Sequence, residues 1–205
     1  MEKIIYLNLP FQNTPQKVSY TAIGNKTIQY DKEIHFPINA LLANKLKNGD
    51  NVKIVILEKE SEKTLENEIL FKDELNEINK DIGANIEYRV IKTEFNESYQ
   101  VESTLLYDSV KELSKDCEIY ADISYGPKTL PFIIFYTIKF AQKVYNAQLK
   151  MVIYGKVDFK PNSSEVTNAQ IFDETPFFSL DNILNVIDEQ SPKNALEIFK
   201  LMIDA

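Results

Sequence analysis

Apolar residues in this chain fall into short runs that alternate with longer segments of helical spacing. The short runs are rich in β-branched and aromatic side chains, which favours buried β-strands. The runs that predict strands are 4–9, 52–57, 86–91, 118–123, 149–154 and, after a polar turn at 160–164, 166–172. Around Gly24 and Asn25, two shorter stretches within residues 17–31 predict a β-hairpin.

Between these runs, apolar residues recur at the spacing of helices that bury one face. Pro37 suits the first turn of the first such helix, and Gly49 and Gly83 lie where helices should end. The segment 58–80 carries eight acidic residues and four lysines, so a solvated helix is expected there, whereas 128–145 is apolar almost all round, which predicts a buried helix. The predicted helices are 38–46, 58–80, 98–113, 128–145, 180–188 and 192–203.

The alternation of strands and helices predicts the fold class. Strands joined by helices form βαβ units, which give a mostly parallel sheet with helices on both faces. We therefore expect an α/β, Rossmann-like domain over residues 1–175, followed by a C-terminal helical appendage over 176–205. Ligands of such folds bind at the carboxyl ends of the strands, where strand order reverses. The loops at those ends are 9–17, 58–62, 93–98, 124–129 and 154–160.

Composition narrows the functional classes. The 205 residues are 44% hydrophobic and 26% charged, as in a folded globular domain, and the net charge is −8. An acidic chain with one arginine, Arg89, is poorly suited to reading duplex nucleic acid. The single cysteine, Cys117, allows no internal disulfide, and no apolar run is long enough for a secretion signal or a membrane span. We therefore expect a cytoplasmic protein that binds neither duplex nucleic acid nor membrane.

The segment from Asp122 to Pro131 carries the clearest chemical signal. A predicted strand runs there into a tight turn at Gly126 and then into an apolar helix. The free amides of the first helical turn, the helix dipole and Lys128 all favour an anion. Residues 121–160 contain six lysines and two acidic residues, a net charge of +4, which leaves −12 for the rest of the chain. This pattern predicts a specific anionic ligand at the turn.

Other candidate groups favour structural roles. His35 is the only histidine, so it cannot form a histidine metal cluster, and Cys117 is expected to be a buried thiol. Asp122 is interpreted as a brace for the turn, with a role as a base as the alternative. Residues 126–129 resemble the end of a P-loop, but Pro127 separates the glycine from the lysine, and no dinucleotide fingerprint is present. We therefore expect no metal and no cofactor.

The segment Asp122-Ile-Ser-Tyr-Gly-Pro-Lys-Thr-Leu-Pro resembles a strand–turn–helix segment of CRISPR-associated CARF-domain proteins. The shared features are the aspartate, the hydroxyl residue, the glycine, the basic residue and the final proline at the same spacing. This chain has Tyr125 where the family usually has histidine. The resemblance covers most of the chain, because three further segments are similar in the same order. These segments are 36–41, 152–157 and 169–178.

The resemblance implies a CARF-type homodimer that binds a cyclic oligoadenylate second messenger across its two-fold interface. The third or fourth helix and the strand-end loops would form that interface. Phe11, Tyr125 and Tyr154 would provide flat walls for adenine, and Gln12 or Asn13 would meet adenine edges. The residues expected to contact the ligand are Pro10, Phe11, Gln12, Asn13, Ser124, Tyr125, Gly126, Lys128, Thr129 and Tyr154.

Three functions follow from these observations. The first is a sensor of cyclic oligoadenylate, with cyclic tetra-adenylate as the expected ring, that regulates an attached or partner effector in a type III CRISPR antiviral response. The second is a metal-independent ring nuclease, in which Lys128 stabilises charge while Asn13, Thr14 or Ser124 orients the scissile group for attack by a ribose 2′-hydroxyl. The third is a small α/β protein that binds another nucleotide.

Overall fold

The centre of the fold is a seven-stranded β-sheet, seen in a computed structural model that describes residues 1–180, 184, 187 and 191–203. The strands are β1 (Lys3–Asn8), β2 (Thr21–Ile23), β3 (Asn51–Lys59), β4 (Asn85–Thr93), β5 (Glu118–Asp122), β6 (Gln148–Phe159) and β7 (Val166–Asp173). The helices among the described residues are α1 (Pro37–Lys45), α2 (Glu62–Ile82), α3 (Tyr99–Lys111), α4 (Leu130–Val144), α5 (Thr175–Phe178) and α6 (Pro192–Ile203), with a 3-10 turn at Lys26–Ile28.

The strand order β2-β7-β6-β5-β1-β3-β4 places β1 between β5 and β3. β1 runs parallel to both neighbours, and β6 and β7 form the antiparallel pair. From β1 the chain adds β3 and β4 on one side, and then adds β5 and β6 on the other side. The sheet therefore reverses its direction of growth between β1 and β5, which is the topological switch point where α/β folds bind ligands.

Helices cover both faces of this sheet. α1 and α2 pack on one face, where Leu41 and Phe71 belong to the first apolar cluster. α3 and α4 pack on the other face, where Leu105 and Ile134 belong to the second cluster. The predicted α/β class, with a mostly parallel sheet between layers of helices, is therefore confirmed.

The start of α2 differs from the prediction. β3 continues through Glu58 and Lys59, which are only 2% and 1% exposed, so a helix beginning at residue 58 is wrong. Ser61 ends this extended segment and caps α2, because its hydroxyl oxygen accepts a hydrogen bond from the Thr64 amide at 3.0 Å. Two charged residues that the sequence assigned to a solvated helix are therefore buried at the end of a strand.

The predicted hairpin at Gly24 and Asn25 is also wrong. The segment contains one short strand, β2, which pairs in parallel with the distant β7. Asn25 then caps the 3-10 turn, because its side-chain oxygen accepts a hydrogen bond from the Thr27 amide at 3.0 Å. The Asn25 side chain also donates to Asp173 Oδ2 at 2.7 Å. A long-range pairing therefore takes the place of the local turn.

β6 extends five residues beyond its predicted end at Tyr154. β5 accompanies it only as far as Ile153, which pairs with Asp122. Beyond that point β6 pairs with β7 in an antiparallel hairpin that continues to Phe159. The stretch 154–160, expected to be a loop, is therefore mostly strand, and the β6–β7 hairpin projects past the end of β5.

The expectation that α4 is buried all round is wrong. Ile134 and Ile138 are fully buried, but four apolar side chains of α4 are 43–64% exposed. They recur at every fourth position and therefore share one face of the helix. This α4 stripe consists of Phe132, Tyr136, Phe140 and Val144. An apolar pattern all round a helix therefore reflects one face in the core and a second face on the surface.

Glu74 of α2 holds the N-terminus of α1. Its carboxylate accepts hydrogen bonds from the His35 amide at 2.9 Å and from Asn39 Nδ2 at 2.8 Å. The His35 ring nitrogen Nδ1 lies 2.8 Å from the same carboxylate. α1 has no side-chain cap of its own at Phe36, and Glu74 holds the backbone that leads into the helix together with the Asn39 side chain. His35 therefore helps to hold the start of α1 through its hydrogen bonds with Glu74.

We expect Glu74→Ala to lower the free energy of unfolding by about 2–3 kcal/mol, because charge-assisted hydrogen bonds to α1 are lost. Glu74→Gln keeps one acceptor oxygen and should lose about half as much. Urea unfolding followed by circular dichroism measures both values. Glu77→Ala, which removes a carboxylate from the exposed side of the same helix, is the matched control. Equal losses for Glu74→Ala and Glu77→Ala would show that the cap does not stabilise the fold.

The C-terminal part of the chain adds α5 and α6. α5 packs on α4 through Phe178 and Phe135, whose ring centroids lie 5.5 Å apart. α6 matches the helix predicted at 192–203, whereas the helix predicted at 180–188 falls largely outside the described residues. The domain boundary at residue 175 stays a prediction. None of the helices in the described ranges combines the length and the apolar character needed to span a bilayer.

Candidate functional site

The loop after β1 and the turn after β5 meet at the switch point of the sheet. A cavity of about 820 Å³ lies between them, a size typical of small-molecule sites. The tip of the β6–β7 hairpin, residues 159–165, forms its third side. The residues that line this switch-point cavity are Pro10, Phe11, Gln12, Asn13, Thr14, Pro15, Gln16, Ser124, Tyr125, Gly126, Phe159 and Ser164.

Ser124 ties the turn after β5 to two strands. Its amide donates to Asp122 Oδ1 at 2.8 Å, and its hydroxyl donates to the same oxygen. The Gly155 amide of β6 donates to the Ser124 hydroxyl oxygen at 2.6 Å. Asp122 therefore braces the turn, which is the role favoured from the sequence. The Ser124 hydroxyl is engaged on both sides by the protein itself.

The carboxyl group of Asp122 is buried, with 1% of the residue exposed. Burial raises its pKa from 3.8 to about 6, and hydrogen bonds from Ser124 and from the Ile38 backbone limit the rise. Ile38 lies in the first turn of α1, so this carboxyl group joins the site to the N-terminus of that helix as well. Asp122 therefore titrates between acidic and neutral pH while it remains shielded from solvent.

Gly126 lets the turn pack directly on β1. Its φ angle of +91° is rarely adopted by residues with a side chain. A Cβ atom there would lie 2.9 Å from Leu130 Cδ1 and 3.2 Å from Asn8 Cβ. Asn8 is 1% exposed, and neither polar atom of its side chain has a hydrogen-bond partner among the described residues. The turn therefore covers a buried polar side chain that the sequence analysis missed.

Tyr125 contributes to the cavity wall but is anchored in the fold. Its hydroxyl donates to the His35 carbonyl oxygen at 3.2 Å. Its ring lies edge-on to Phe36, with centroids 6.2 Å apart and an interplanar angle of 77°. Burial raises the pKa of Tyr125 well above its ordinary value of 10, so the phenol stays neutral at physiological pH.

The loop of residues 10–16 is held by hydrogen bonds near both ends. The fully buried Asn67 of α2 donates through Nδ2 to the Pro10 carbonyl oxygen at 2.7 Å and to that of Asn13 at 3.1 Å. At the other end, Gln16 Nε2 donates to the Ser164 carbonyl oxygen at 2.9 Å. The loop is therefore suspended between α2 and the hairpin tip.

The structure brings most of the predicted ligand-binding residues together. Seven of the ten line the switch-point cavity, namely Pro10, Phe11, Gln12, Asn13, Ser124, Tyr125 and Gly126. Tyr154 lines an adjoining cavity of about 380 Å³, which also contacts Ser124 and Tyr125. Lys128 and Thr129 line neither cavity, and the Lys128 side chain is exposed to solvent.

Known proteins do not assign a family to this chain. Neither a scan against protein-family models nor a search of curated proteins finds a match. The resemblance to CARF-domain proteins therefore stays a prediction, and the chemistry of the site rests on its own residues.

α4 begins close to the cavity, four residues after Gly126. Thr129 occupies the cap position but makes no side-chain cap hydrogen bond. Its hydroxyl is buried and has no partner among the described residues. The prediction of free amides in this turn is wrong, because Leu130 N donates to the Pro127 carbonyl oxygen at 3.1 Å, Phe132 N donates to that of Thr129 at 3.0 Å, and Pro131 has no N–H. The helix dipole and the charge of Lys128 still favour a negatively charged group here. The site thus combines a cavity with an adjacent position suited to an anion.

The sequence places a ligand loop at 154–160, but neither Phe159 nor Ser164 is among the predicted site residues. Phe159 and Ser164 belong to the part of the chain that was interpreted as loop and turn. The signal was present, since residues 156–159 alternate polar and apolar positions beyond the predicted end of β6. Gln16 was also missed, because its role depends on a contact 148 residues away.

The lining of the switch-point cavity is polar but uncharged. Amide, hydroxyl and aromatic side chains line it, and no charged residue is among them. Neutral hydrogen-bonding groups beside flat apolar surfaces suit a heterocyclic base, whereas a phosphate is better matched by helix amides and a lysine. Among the described residues, no cluster of three or more acidic, histidine or cysteine side chains is placed to hold a metal ion.

Two features away from this cavity support the fold. A surface cavity of about 480 Å³ beside α2 is lined in part by His35 and Glu74, which already bond to each other at the start of α1. Cys117 is a free, fully buried thiol, and burial raises its pKa, so it is a poor nucleophile. Both observations agree with the structural roles expected for His35 and Cys117.

Proposed function

We propose that this protein binds a cyclic oligoadenylate and acts as a sensor in a type III CRISPR antiviral response. The observation that carries the proposal is an uncharged cavity at the switch point of the sheet, next to the N-terminus of α4 and Lys128. The cavity suits a base, and the start of α4 suits a phosphate. The resemblance of residues 122–131 to CARF-domain proteins supports adenylate as the base and a ring as the form of the ligand.

The loop after β1 would hold the base. Gln12 and Asn13 present amides that can both donate and accept hydrogen bonds, as an adenine edge requires. Phe11 presents an aromatic surface, and its ring is fixed edge-on against Phe95 with centroids 5.4 Å apart. Amides and aromatic rings are the groups that proteins use to recognise single, unpaired bases.

The start of α4 would hold a phosphate. The dipole of α4 favours an anion there, and the exposed Lys128 adds a full positive charge. Because Lys128 lies outside the two cavities, it would contact the ligand at the rim of the site. A ring shared between two sites would cross from one protomer to the other at this rim. This arrangement favours a ligand that is larger than one nucleotide.

The homodimer in this proposal would form along α4. The α4 stripe leaves large apolar side chains in solvent, and the helix that carries it begins at the site itself. A two-fold contact through this helix would bring two switch-point cavities next to each other. A ring that has its own rotational symmetry could then use identical contacts twice.

Isothermal titration calorimetry with cyclic tetra-adenylate and cyclic hexa-adenylate tests the proposal. We expect binding of one ring per two chains, and we expect Lys128→Ala to weaken it by about 2–3 kcal/mol through loss of a charge-assisted phosphate contact. Lys47→Ala, which changes an exposed lysine just before β3 and so at the opposite edge of the sheet, is the matched control and should bind like the wild type. If the protein binds neither ring, the proposal is refuted.

A ring nuclease is less well supported than a sensor. The Ser124 hydroxyl, one of its candidate groups, donates to Asp122 and accepts from Gly155, so it is not free to orient a scissile phosphate. Incubation of the protein with cyclic tetra-adenylate in the absence of metal, followed by chromatography, separates the two functions. Linear adenylates that appear as the bound ring is consumed would favour the nuclease.

A further inference from the structure

The β6–β7 hairpin forms the outer wall of the switch-point cavity. β6 passes the end of β5 at Ile153 and continues to Phe159, supported there by β7. The part of β6 beyond the end of β5 therefore extends from the sheet to the rim of the site. From this placement we propose that Phe159 is a specificity-determining residue that selects a purine base by stacking on it, an inference that rests on the proposed function.

The backbone at the end of β6 sets the direction of the Phe159 side chain. The pairing register between β6 and β7 shifts between Asp158 and Phe159. Such irregularities bend a strand and redirect the next side chain, and they are common beside binding sites. Phe159 is 49% exposed and lines both the switch-point cavity and the adjoining cavity. Its ring therefore stands at the junction of the two cavities, with one side open to a ligand.

The hairpin tip is fixed relative to the rest of the site. The Lys160 amide donates to the Glu165 carbonyl oxygen at 2.9 Å, which closes the turn. Gln16 Nε2 donates to the Ser164 carbonyl oxygen at 2.9 Å, which joins the tip to the loop after β1. The wall that carries Phe159 is thus held from both ends, so a stacked base would meet a surface that is already in position.

The chemistry of the cavity favours a flat neutral heterocycle. The only flat apolar surfaces among its lining residues are the rings of Phe11, Tyr125 and Phe159. Tyr125 is largely committed to the fold, and Phe11 is fixed against Phe95. Phe159 is the aromatic side chain of the lining with the least packing of its own. A purine offers a larger stacking surface than a pyrimidine, so this residue would favour purines.

A tryptophan at position 159 gives a direct readout, because the chain contains no tryptophan. We expect adenosine monophosphate and cyclic tetra-adenylate to quench the fluorescence of Phe159→Trp, since a base stacked on the indole alters its emission. Uridine monophosphate should quench it less at equal concentration. Phe177→Trp, which places the reporter on the exposed surface of α5, is the matched control and should not respond.

Calorimetry on Phe159→Ala and Phe159→Tyr complements the reporter. We expect the alanine variant to bind cyclic tetra-adenylate at least tenfold more weakly, and the tyrosine variant to bind it within about threefold of the wild type. Phe159 is half exposed, so both variants should fold. If Phe159→Ala leaves ring binding unchanged and the ring does not quench the fluorescence of Phe159→Trp, the inference is overturned and the proposed function stands. Quenching by adenosine monophosphate without any ring binding would do the reverse, and no response to either ligand would overturn both.

Discussion

Gly155→Ala is expected to destabilise the protein by about 3 kcal/mol, because the new methyl group has no room. A Cβ atom at this position would lie 2.1 Å from Pro37 Cγ and 2.7 Å from Pro37 Cβ, and 3.1 Å from Ser124 Oγ. Pro37 is a rigid, buried ring in the first turn of α1. At Gly155, β6 is held by β7 on one side and by the Ser124 hydroxyl on the other, so neither group can move away easily. The midpoint temperature of thermal unfolding should fall by roughly 6–12 °C.

A double-mutant cycle with Pro37→Ala tests this explanation of the Gly155→Ala result. Pro37→Ala removes the atom that lies closest to the new methyl group and should relieve part of the overlap. The loss of stability in the double variant should therefore be smaller than the two single losses added together. Strict additivity of the two losses would show that the contact with Pro37 is not the cause.

Asp122→Asn is expected to change the dependence of stability on pH. The folded protein holds the pKa of Asp122 at about 6, above the ordinary 3.8, so the folded state binds the proton more tightly than the unfolded state. The burial penalty is absent below the ordinary pKa and complete above about pH 6, and the wild type therefore loses stability as pH rises through this range. Asparagine keeps an acceptor for Ser124 and carries no charge, so the variant lacks this loss.

Urea unfolding at pH 4.5 and pH 7.5 measures the difference between the wild type and Asp122→Asn. Between these two values, the free energy of unfolding of the wild type should fall by about 2 kcal/mol relative to that of the variant. Asp31→Asn, which removes an exposed carboxylate, is the matched control for the loss of one charge. Parallel profiles for the wild type and Asp122→Asn would show that Asp122 keeps one protonation state throughout.

The sheet and its main helices were predictable because their signals are local. Each central strand is an apolar run, and α3 follows directly from a serine cap and apolar spacing. The position of β2 was not predictable in this way, since it pairs with β7 far along the chain. The exposed α4 stripe was also hidden, because composition alone does not separate a core face from a surface face.

The candidate site was predictable in part for the same reason. The turn at Gly126 has a local sequence signature, and the loop after β1 follows from the rule on strand ends. The hairpin wall with Phe159 depends on how far β6 continues beyond its neighbour, which no local pattern determines. The charge of Lys128 and the resemblance both predict that it contacts the ligand, but the structure places it outside both cavities.

The hydrogen bond from Gly155 to Ser124 gives the site one stiff side and one compliant side. It anchors the turn after β5 to the central sheet, so a ligand cannot shift the turn without distorting β6. The opposite loop, residues 10–16, makes no backbone–backbone hydrogen bond among the described residues and is attached through the side chains of Asn67, Ser61 and Gln16. A ligand that fills the site would therefore displace the loop more easily than the turn, and Asn67 would pass that displacement to α2.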